Sequence, residues 1–575
     1  MREYSVPVLV DVPASASCAD TVFRRAVEEP GRVVMRRKDG DAWPVVTALE
    51  FRDDVAAVAK GLMAAGISAG DRVALMSRTR YEWTVIDYAI WAAGAVTVPI
   101  YETSSASQVA WILSDSGARA AFVELDGHFD TVREVAPELP VWRVSEPPPP
   151  GEVSTPELEE RRTAVSAADL ASIVYTSGTT GKPKGCRITH DNLLFTARNV
   201  AFGPLEPLFT VQDPAALLFL PLAHIFARLI QLVFVETGAV LAHTPNMKNV
   251  APDLEAFKPT FLLGVPRVFE KVYNGAEQKA ISGGKGAIFA RAAAVAEAWS
   301  RAGVSAGIGL RLQHALFDRL VYGKLRAATG GRLRAAVSGG SALGDRLGHF
   351  FRGAGIEIYE GYGLTETSAP CAVNMPGANK IGTVGKPIPG VTLRIADDGE
   401  VLAKGRHIFD GYWNNSTPAL DPEGWYHTGD VGELDADGYL RITGRKKEIL
   451  VTAAGKNVAP GPLEDAIRAN PLISQAMVVG DGRPFVAALI TLDPEAVAAN
   501  GSPAADPSVL AEVQRAVDNA NRSVSKAEQI KKFVILETDL TEESGHLTPT
   551  LKVKRNLVMR DFAKDIDNLY DTPAS

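Results

Sequence analysis

The chain has 575 residues, of which 46% are hydrophobic and 22% charged, and its formal net charge is −8. This composition is typical of a globular protein and excludes a disordered or fibrous chain, while the length predicts about three to four domains. The acidic balance gives no electrostatic reason to expect a nucleic-acid partner.

The first third of the chain alternates helical and strand patterns. The sequence predicts helices over 49–66, 83–94 and 105–116 and strands over 73–76, 96–100 and 120–123. Strands that alternate with helices of this length favour a parallel sheet in an α/β layer. A Pro-rich acidic stretch over 146–160 is typical of a surface loop, and the alternation then resumes between 171 and 358.

The pattern changes in the last third. Short strands bounded by Gly and Pro over 392–395, 400–403 and 440–443 indicate a small β-rich subdomain. The final segment has its own strand patterns over 475–479 and 485–492 and a helical pattern over 507–523. We therefore predict an α/β protein with two parts. A large N-terminal body, residues 1–446, holds two α/β subdomains and the β-rich one, and a mobile α+β C-terminal lid covers residues 447–575.

Cysteine usage and hydropathy indicate the cellular setting. Cys18, Cys186 and Cys371 are widely spaced and form neither a CxxC pair nor a zinc pattern, as reduced cytosolic thiols do. The N-terminus lacks a signal-peptide pattern, and the apolar stretches 88–98 and 215–226 are shorter than the roughly 20 residues that span a bilayer. We expect a cytoplasmic protein with at most peripheral contact at the inner face of the membrane; the oligomeric state is not indicated.

One loop has the composition of a phosphate site. The string IVYTSGTTGKPKG, residues 173–185, joins a β-branched strand ending at Tyr175 to ten residues that are mostly Thr, Ser, Gly and Lys. Glycines let backbone N–H groups converge on an anion, and Lys184 adds a positive charge. Pro183 stands where a P-loop NTPase has Gly, which disfavours that class. A polyphosphate loop is predicted; the alternative is a flexible surface loop.

The string YTSGTTGKPKG resembles the phosphate-binding motif of the adenylate-forming superfamily, which includes acyl-CoA synthetases, peptide-synthetase adenylation domains and beetle luciferases. Further matches follow in the order of that family: YEGYGLTET at 359–367, YHTGD at 426–430, GRKKEIL at 444–450 and TPTLKVKR at 548–555. With five motifs in order, the chain is identified as a member of this superfamily. The resemblance implies that ATP, with Mg2+, activates a carboxylic acid as its adenylate.

The resemblance also implies roles around the nucleotide. Tyr362 would stack on adenine, and Glu366 with Thr176 would hold Mg2+ through oxygen atoms. Asp430 would accept hydrogen bonds from both ribose hydroxyls, and Arg445 would bind ribose or phosphate oxygens. The full implied nucleotide set is Thr176, Ser177, Gly178, Thr179, Thr180, Lys184, Gly340, Ser341, Gly361, Tyr362, Gly363, Thr365, Asp430 and Arg445.

Three further residues acquire roles from the same resemblance. Lys552 aligns with the lysine that neutralises charge during adenylation, and Lys554 is the competing candidate. Lys447 aligns with the hinge about which the lid rotates. His224, in FLPLAHIF, matches a histidine near the acyl carboxylate, although a single His among apolar residues also fits a buried structural role.

The acid is indicated by the strings GVPRVFEKVY at 264–273, YETSS at 101–105 and TGRKKEI at the hinge. They resemble the long-chain fatty acyl-CoA ligase branch, and the whole chain resembles its bacterial members. The implied substrates are a fatty acid, ATP and coenzyme A, with Gly264 and Val265 beside the acyl group. Apolar residues that would line an acyl tunnel, or equally an ordinary core, are Phe219, Ile225, Phe226, Leu229, Leu232, Phe234 and Val265.

Other functions stay open at this point. One is a fatty acyl-AMP ligase that hands the adenylate to a carrier protein, although no extra segment near the hinge indicates it. Another is a coenzyme A ligase for a medium-chain or aromatic acid. A luciferase-like oxidative enzyme or a non-catalytic relative is a different class, which the presence of Glu366, Asp430, Arg445 and Lys552 disfavours.

Overall fold

The computed structural model describes residues 1–176, 182–500, 506–548 and 552–571. The N-terminal part alternates strands and helices, as the sequence predicts. Its elements are β1 Glu3–Ser5, α1 Asp20–Glu28, β2 Val33–Arg36, β3 Val45–Thr47, α2 Ala48–Ala64, β4 Arg72–Met76, α3 Tyr81–Ala92, β5 Val96–Ile100, α4 Ala106–Ser116, β6 Ala120–Val123, α5 Asp126–Val135, β7 Val141–Arg143, α6 Thr155–Thr163 and β8 Leu170–Thr176.

The middle of the chain continues this alternation and adds several long helices. Its elements are β9 Lys184–Thr189, α7 His190–Ala201, α8 Glu206–Phe209, β10 Ala215–Leu218, α9 Ile225–Thr237, β11 Val240–His243, α10 Val250–Phe257, β12 Phe261–Gly264, α11 Pro266–Ser282, α12 Gly286–Ala302, α13 Ile308–Phe317, a π-helical turn Asp318–Tyr322, α14 Gly323–Ala328, β13 Ala335–Ser338, α15 Asp345–Gly353, β14 Glu357–Leu364 and β15 Ala369–Val373.

The remaining elements are shorter strands followed by a second group of helices. They are β16 Lys386–Pro387, β17 Thr392–Ile395, β18 Glu400–Lys404, β19 Tyr426–Leu434, β20 Leu440–Arg445, β21 Leu450–Val451, β22 Asn457–Val458, α16 Pro460–Arg468, β23 Ile473–Val479, β24 Val486–Leu492, α17 Pro494–Asn500, α18 Pro507–Asn521, β25 Ile530–Ile535, α19 Arg555–Asp561 and α20 Ala563–Asp571.

Two large sheets form the body. A six-stranded sheet has the order β7-β6-β4-β5-β8-β9 and is parallel except for β9, which pairs antiparallel with β8. A nine-stranded sheet has the order β16-β15-β14-β13-β12-β10-β11-β2-β3, with parallel pairing from β14 to β2 and antiparallel strands at both ends. The predicted α/β fold is confirmed.

One hydrophobic core lies between these sheets. It includes Leu75 and Phe122 from the six-stranded sheet and Leu241 from the nine-stranded sheet. An ion pair joins the helices of this layer: Arg228 Nε on α9 donates to Asp87 Oδ2 on α3 at 2.8 Å, and both side chains are fully buried. Removing one partner of such a pair leaves an uncompensated buried charge, so the pair ties α3 to α9.

A third sheet supplies the β-rich part. Its order is β1-β17-β18-β19-β20, with every neighbouring pair antiparallel, so the chain's first strand completes a sheet that is otherwise formed around residue 400. Strands predicted over 392–395, 400–403 and 440–443 correspond to β17, β18 and β20. This sheet carries Asp430 and Arg445 as paired residues of β19 and β20.

In the described part of the chain, the strands after Arg445 pair only with one another. The sheet β23-β24-β25 has a hydrophobic core on each of its faces, one that contains Val478 and one that contains Met477. The ladder β21-β22 adds Val458 to the first of these cores. This part meets the body through polar contacts such as Arg267 Nη2 to Asp493 Oδ2 at 3.4 Å. The division at residue 446 stays a prediction. Across the described residues we find no helix long and apolar enough to cross a bilayer.

The predicted loop over 146–160 is wrong in its second half, because α6 begins at Thr155. Ser154 Oγ accepts a hydrogen bond from Glu157 N at 3.3 Å, and Glu157 Oε2 accepts one from Ser154 N at 2.7 Å. This capping box satisfies two free N–H groups of the helix start. Pro156 lies in the first turn, where its missing N–H has no cost.

Candidate active site

The turn between β8 and β9 holds the predicted phosphate loop. The two strands pair antiparallel up to Thr176 and Lys184. Ser177, Gly178, Thr179 and Thr180 lie outside the described residues. At the base of the turn, Lys184 is exposed and its ammonium lies 5.3 Å from the centre of the Tyr412 ring.

Tyr412 makes a second contact, with the carboxylate that is expected to bind Mg2+. Glu366 lies in the short turn after β14, and its Oε1 accepts a hydrogen bond of 2.8 Å from the Tyr412 hydroxyl. Next to this turn, Ser368 and Ala369 adopt left-handed backbone angles, with φ of 50° and 78°. Non-glycine residues pay conformational strain there, and such strain concentrates at functional sites.

Glycine at 363 is required by the same turn. A Cβ at that position would lie 1.8 Å from the carbonyl oxygen of Ala369, so no other residue fits without moving the backbone. Gly361 and Thr365 flank it as half-buried residues of β14 and the turn that carries Glu366. The motif at 359–367 therefore has a structural reason for Gly363 beside any contact with a nucleotide.

Asp430 lies between two partners contributed by different strands. Its Oδ2 accepts a hydrogen bond of 2.6 Å from the Tyr362 hydroxyl, and its Oδ1 lies 3.0 Å from Arg445 Nε. The Asp430 side chain is almost fully buried, whereas that of Arg445 is 44% exposed. A carboxylate has about four lone-pair positions, so two remain for hydroxyl donors of a ligand. Tyr362, Asp430 and Arg445, all predicted for the nucleotide, are thus brought together.

The predicted glycine-rich turn follows β13. Gly340 has φ of +87°, and a Cβ there would lie 3.8 Å from Val265 Cγ1. Gly340 and Ser341 are exposed, while Val265 is the residue preceding α11. On the neighbouring strand, a Cβ at Gly264 would lie 2.9 Å from the Phe269 ring. Gly264 and Val265 therefore lie next to the turn at 339–340, and their place beside an acyl group stays a prediction.

The apolar residues predicted for an acyl tunnel divide into two groups. Phe226 and Val265 are half-buried, and the Phe226 ring lies 3.0 Å from the position of a Cβ at Gly339. The others lie in the hydrophobic cores: Phe219, Ile225, Leu229, Leu232 and Phe234. Phe234, for example, packs with Phe209 and Phe261 at ring-centre distances of 5.3 and 5.7 Å. Only Phe226 and Val265 border the turn at 339–340.

His224 and Lys552 come from the two parts of the chain, and the charge of Lys552 acts on the imidazole of His224. His224 precedes α9, and its Nδ1 accepts a hydrogen bond of 3.2 Å from Phe226 N. Burial, and next the charge of Lys552, lower the pKa of His224 to about 4. The Lys552 residue keeps exposed surface, yet the protein around its ammonium lowers the pKa of that group, and Arg445 lowers it further. The charge of Lys552 therefore acts on His224, and the charges of Arg445 and Asp430 act on Lys552.

Lys554 differs from Lys552 in its surroundings. Its backbone N–H donates to His546 O at 2.8 Å, and it precedes α19 as a half-buried residue. Lys552 lies in a turn closed by Thr548, whose Oγ1 accepts from Lys552 N at 3.0 Å. The influence on His224 comes from Lys552, which favours it over Lys554 as the residue aimed at the site.

Lys447 lies in the exposed turn between β20 and β21. Glu448 N and Ile449 N both donate to Arg445 O, at 3.0 and 3.1 Å, and Lys446 N donates to Gly429 O at 2.9 Å. Lys446 is also held by Asp398 and Glu400 through its ammonium. The backbone on either side of Lys447 is thus attached to the β-rich sheet, and 447 is the exposed residue between these attachments.

Two site residues were missed by the sequence argument. Tyr412 binds Glu366, and Trp111 donates from Nε1 to Pro183 O at 2.9 Å while its ring faces Lys182 at 4.1 Å. Trp111 therefore contacts the phosphate loop at Lys182 and Pro183, and Tyr412 contacts it at Lys184. Tyr412 stands in the string FDGYW, whose dense aromatics after a glycine were the available signal. Trp111 lies on α4 and carried no signal beyond a helical apolar position.

The oxygen donors fit Mg2+. Burial, and next the charge of Glu366, raise the pKa of the Cys186 thiol, while the Thr176 hydroxyl opposes that rise. The Thr176 hydroxyl therefore contacts this cysteine, at the base of the phosphate loop, and the Glu366 carboxylate is close enough for its charge to act on the same thiol. One carboxylate and one hydroxyl next to phosphates are the kind of protein ligands that Mg2+ uses, with water and phosphate oxygens completing its shell.

Comparison with known proteins assigns this architecture to a family. Residues 22–413 match the family described as AMP-binding enzyme, and residues 447–574 match the AMP-binding enzyme C-terminal domain. The chain is 50% identical to the long-chain-fatty-acid–CoA ligase FadD15 of Mycobacterium bovis, over 99% of this chain and 100% of that protein. It is 31% identical to the long-chain-fatty-acid–CoA ligase ACSBG1 of Homo sapiens, over 96% of this chain and 84% of that protein.

Solved structures share the fold at lower identity. The anthranilate CoA ligase AuaEII in complex with anthranoyl-AMP has a TM-score of 0.74 at 21% identity, covering 97% of this chain and 99% of that one. O-succinylbenzoate coenzyme A synthetase (MenE) from Bacillus subtilis, in complex with ATP and magnesium ion, has a TM-score of 0.69 at 20% identity. It covers 93% of this chain and 98% of its own.

Proposed function

Because the chain belongs to the AMP-binding enzyme family, we propose that it is a long-chain fatty acid:coenzyme A ligase of the AMP-forming class. The observation that carries this proposal is the cluster of Tyr362, Asp430 and Arg445 in the body. The charge of Lys552, from the C-terminal part, acts on His224 and is itself influenced by Asp430 and Arg445. Relatives that bear the name long-chain-fatty-acid–CoA ligase support the class of acid. We expect the reaction to take place in the cytoplasm.

In the first half-reaction, a carboxylate oxygen of the acid attacks the α-phosphorus of ATP. The bond from that phosphorus to the bridging oxygen breaks, and pyrophosphate leaves. Lys552 supports this step because its ammonium offsets the negative charge that grows on the phosphorus oxygens. His224, with a pKa of about 4, is neutral at pH 7 and offers a hydrogen-bonding nitrogen beside the carboxylate without adding charge.

The nucleotide would be held by residues from three sheets. Thr176 and Lys184 come from the six-stranded sheet, Tyr362 from the nine-stranded sheet, and Asp430 from the five-stranded sheet. Glu366 and Thr176 would hold Mg2+, which when bound supplies positive charge next to the phosphates. Arg445 would stay with Asp430 and bind ribose or phosphate oxygens through its remaining donors.

In the second half-reaction, the coenzyme A sulfur attacks the acyl carbon of the adenylate, and the bond to the phosphate oxygen breaks to release AMP. Lys552 then occupies space near the reacting carbon and is no longer needed. A rotation of the C-terminal part about Lys447 would remove it, and the exposed turn between Arg445 and Leu450 is the place where backbone angles can change.

The test also distinguishes two alternative functions, one with another acyl acceptor and one with another acid. A fatty acyl-AMP ligase would release pyrophosphate but transfer the acyl group to a carrier protein. A ligase for a medium-chain or aromatic acid would form a thioester with another acid. The half-buried Phe226 and Val265 give the acyl side of the site an apolar wall, which favours an alkyl chain.

The experiment measures both half-reactions of the pure protein with ATP, Mg2+ and a panel of short, medium, long and aromatic acids. We expect pyrophosphate release that depends on a long-chain acid and a thioester when coenzyme A is present. Pyrophosphate release without a thioester would support the acyl-AMP ligase, and a maximum for another acid would reassign the substrate. No acid-dependent release would overturn the proposal.

A further inference from the structure

One helical segment exposes a row of large apolar side chains. Ile308, Leu312, Leu316 and Leu320 follow one another at intervals of four residues on α13 and the π-helical turn, and they are 79%, 68%, 55% and 45% exposed. Residues four apart lie on one face of a helix, so these side chains form a continuous apolar stripe. We call these four residues the exposed stripe; it is about 18 Å long at the ordinary rise of a helix.

The opposite side of the same segment is anchored in the body. His314 stacks on Trp299 at a ring-centre distance of 4.4 Å, Phe317 is buried, and the Tyr322 hydroxyl donates to Ala292 O at 2.6 Å. The stripe is therefore presented by a fixed helix rather than by a fraying end. A fixed apolar row in water is unfavourable unless another surface covers it, because each side chain orders or excludes water around it.

The segment that carries the stripe is basic, unlike the whole chain. Between residues 301 and 334 there are seven basic residues and one acidic residue, Asp318, which is paired with Arg326 at 2.8 Å. Lys324 continues the four-residue interval after Leu320, and Arg319 lies three residues after Leu316. The whole chain has a net charge of −8. The basic residues therefore accumulate where the apolar row is exposed.

We propose that the exposed stripe and its flanking cations dock the protein on the surface of an anionic phospholipid bilayer. A helix with an apolar row and Lys or Arg at its borders lies in the interfacial region, with the apolar side chains among the acyl chains and the cations at the headgroups. Lys324 and Arg319 can extend their apolar stems over the stripe while their charges reach the lipid phosphates. In a symmetric dimer the stripe would face the stripe of the second copy, and the cations at its border would repel one another, which disfavours that occupant.

This inference rests on the proposed function: a ligase for long-chain acids gains from docking on a bilayer because its substrate dissolves better there than in water. The structure also connects the two sites. Val265 beside the acyl site precedes α11, and Phe269 and Tyr273 of that helix share one hydrophobic core with Phe317 of α13. Docking at the stripe would hold the acyl side of the enzyme near the surface from which the acid is drawn.

The test measures cosedimentation of the full chain with phosphatidylcholine vesicles, with and without phosphatidylglycerol, at low and high salt. We expect binding that needs the anionic lipid and weakens with salt, since surface charges are screened. Ile308→Gln with Leu312→Gln should lower the partition coefficient on the order of tenfold or more. Arg319→Gln with Lys324→Gln should lower it at low salt and leave the residual high-salt binding unchanged.

Matched variants separate the stripe from a general loss of surface apolarity or charge. Val27→Gln with Leu510→Gln removes two exposed apolar side chains elsewhere, and Lys526→Gln with Lys564→Gln removes two exposed cations elsewhere. Both control variants should bind vesicles as the unaltered protein does. If the stripe variant binds equally well, or if the controls lose as much binding, the proposal is overturned.

Two further readouts close the remaining outcomes. Light scattering in the absence of lipid reports the oligomeric state, and a stripe variant that dissociates a dimer while keeping its vesicle binding would assign the surface to a second copy. Acid-dependent pyrophosphate release in detergent solution is measured for every variant and should be unchanged. If the unaltered protein binds vesicles but releases no pyrophosphate with any fatty acid, the docking stands and the proposed function fails.

Discussion

The Tyr412 hydroxyl donates a hydrogen bond of 2.8 Å to Glu366, the carboxylate that the family motif assigns to Mg2+. The two residues are 46 positions apart, and Tyr412 also faces the Lys184 ammonium at 5.3 Å. One tyrosine thus touches both the acidic and the basic member of the expected phosphate and metal site. It fixes the carboxylate while leaving its charge intact.

Tyr412→Phe should weaken adenylation without unfolding the protein. A hydrogen bond to a charged group contributes about 1.5–3 kcal/mol, so the rate of acid-dependent pyrophosphate release should fall on the order of tenfold or more. The deficit should grow as Mg2+ is lowered, because Glu366 is then less well placed. Titrating Mg2+ in the release assay measures this, with Tyr439→Phe as a control, because the Tyr439 hydroxyl donates to Ala378 O and not to Glu366. Equal Mg2+ dependence in all three proteins would contradict the assignment.

Lys552→Ala should cripple the first half-reaction and spare the second. Removing a preorganised electrostatic contact typically costs on the order of 10²–10³ in rate, and positive charge is needed only while the α-phosphorus reacts. Single-turnover pyrophosphate release reports adenylation, and thioester formation from supplied acyl-AMP reports the second step. Lys554→Ala is the matched control; an effect confined to Lys554 would move the alignment by two residues.

Removing the ammonium of Lys552 should also change the pKa of His224. Lys552 is one cause of the low pKa of that imidazole, beside the larger effect of burial. In Lys552→Ala, the His224 pKa should therefore rise from about 4 while staying below its ordinary value. Titration of the imidazole by NMR checks this, with Lys554→Ala again as the control. An unchanged His224 titration would show that Lys552 does not reach this site in solution.

Lys447→Pro should have the opposite effect to Lys552→Ala: it should slow the second half-reaction and spare the first. Proline fixes φ near −65° and restricts the residue before it, here Lys446, whose N–H is bonded to Gly429 O. We expect adenylation to survive and the coenzyme A step to fall on the order of tenfold or more, about 1.4 kcal/mol. Lys447→Ala removes the charge but leaves the backbone free, and should retain both steps. Equal loss of both steps in the proline variant would instead indicate damage to the fold.

Glu360 makes stability depend on pH. It is buried on β14, accepts from Leu343 N at 3.0 Å, and burial raises its pKa from an ordinary 4.5 to about 7, with Asp345 and Asp465 adding to the rise. As the pH rises, Glu360 loses its proton at a lower pH in the unfolded chain than in the folded one. The free energy of unfolding therefore falls as the pH rises from about 4.5 through 7. Below 4.5 both states are protonated and the effect vanishes.

Glu360→Gln should therefore stabilise the protein at pH 8 but not at pH 4, by on the order of 1–3 kcal/mol at the higher pH. The glutamine keeps an acceptor for Leu343 N. Thermal unfolding of both proteins across this pH range provides the measurement, and Glu255→Gln, at an exposed position of α10, serves as the control. A gain in stability that is the same at both pH values would exclude titration of Glu360 as its cause.

The sequence predicted the regular elements well where periodicity was strong. Strands over 96–100, 120–123 and 392–395 coincide with β5, β6 and β17, because short apolar or alternating runs between turns favour a strand. The start of α6 was missed because Pro-rich acidic composition outweighed a four-residue capping box at Ser154 and Glu157. Composition averages over a window, whereas a cap is decided by two residues.

The candidate site was predictable only as far as its motifs reach. Asp430 and Arg445 stand in strings of recognisable order, and the structure pairs them across β19 and β20. Tyr412 and Trp111 could not be assigned, because their roles depend on which loop folds against which strand. That is set by packing between the sheets, which no local pattern encodes.

The buried Arg228–Asp87 pair has a consequence for how substrates enter. It ties α3 to α9 between the two large sheets, so we expect Thr176 on one sheet and Glu366, in the turn after β14 of the other, to keep their separation during turnover. Spreading the body would break the pair and leave two uncompensated charges. We then expect entry and exit to depend on movement of the C-terminal part, and turnover limited by that movement should slow in viscous solvent while the chemistry is untouched.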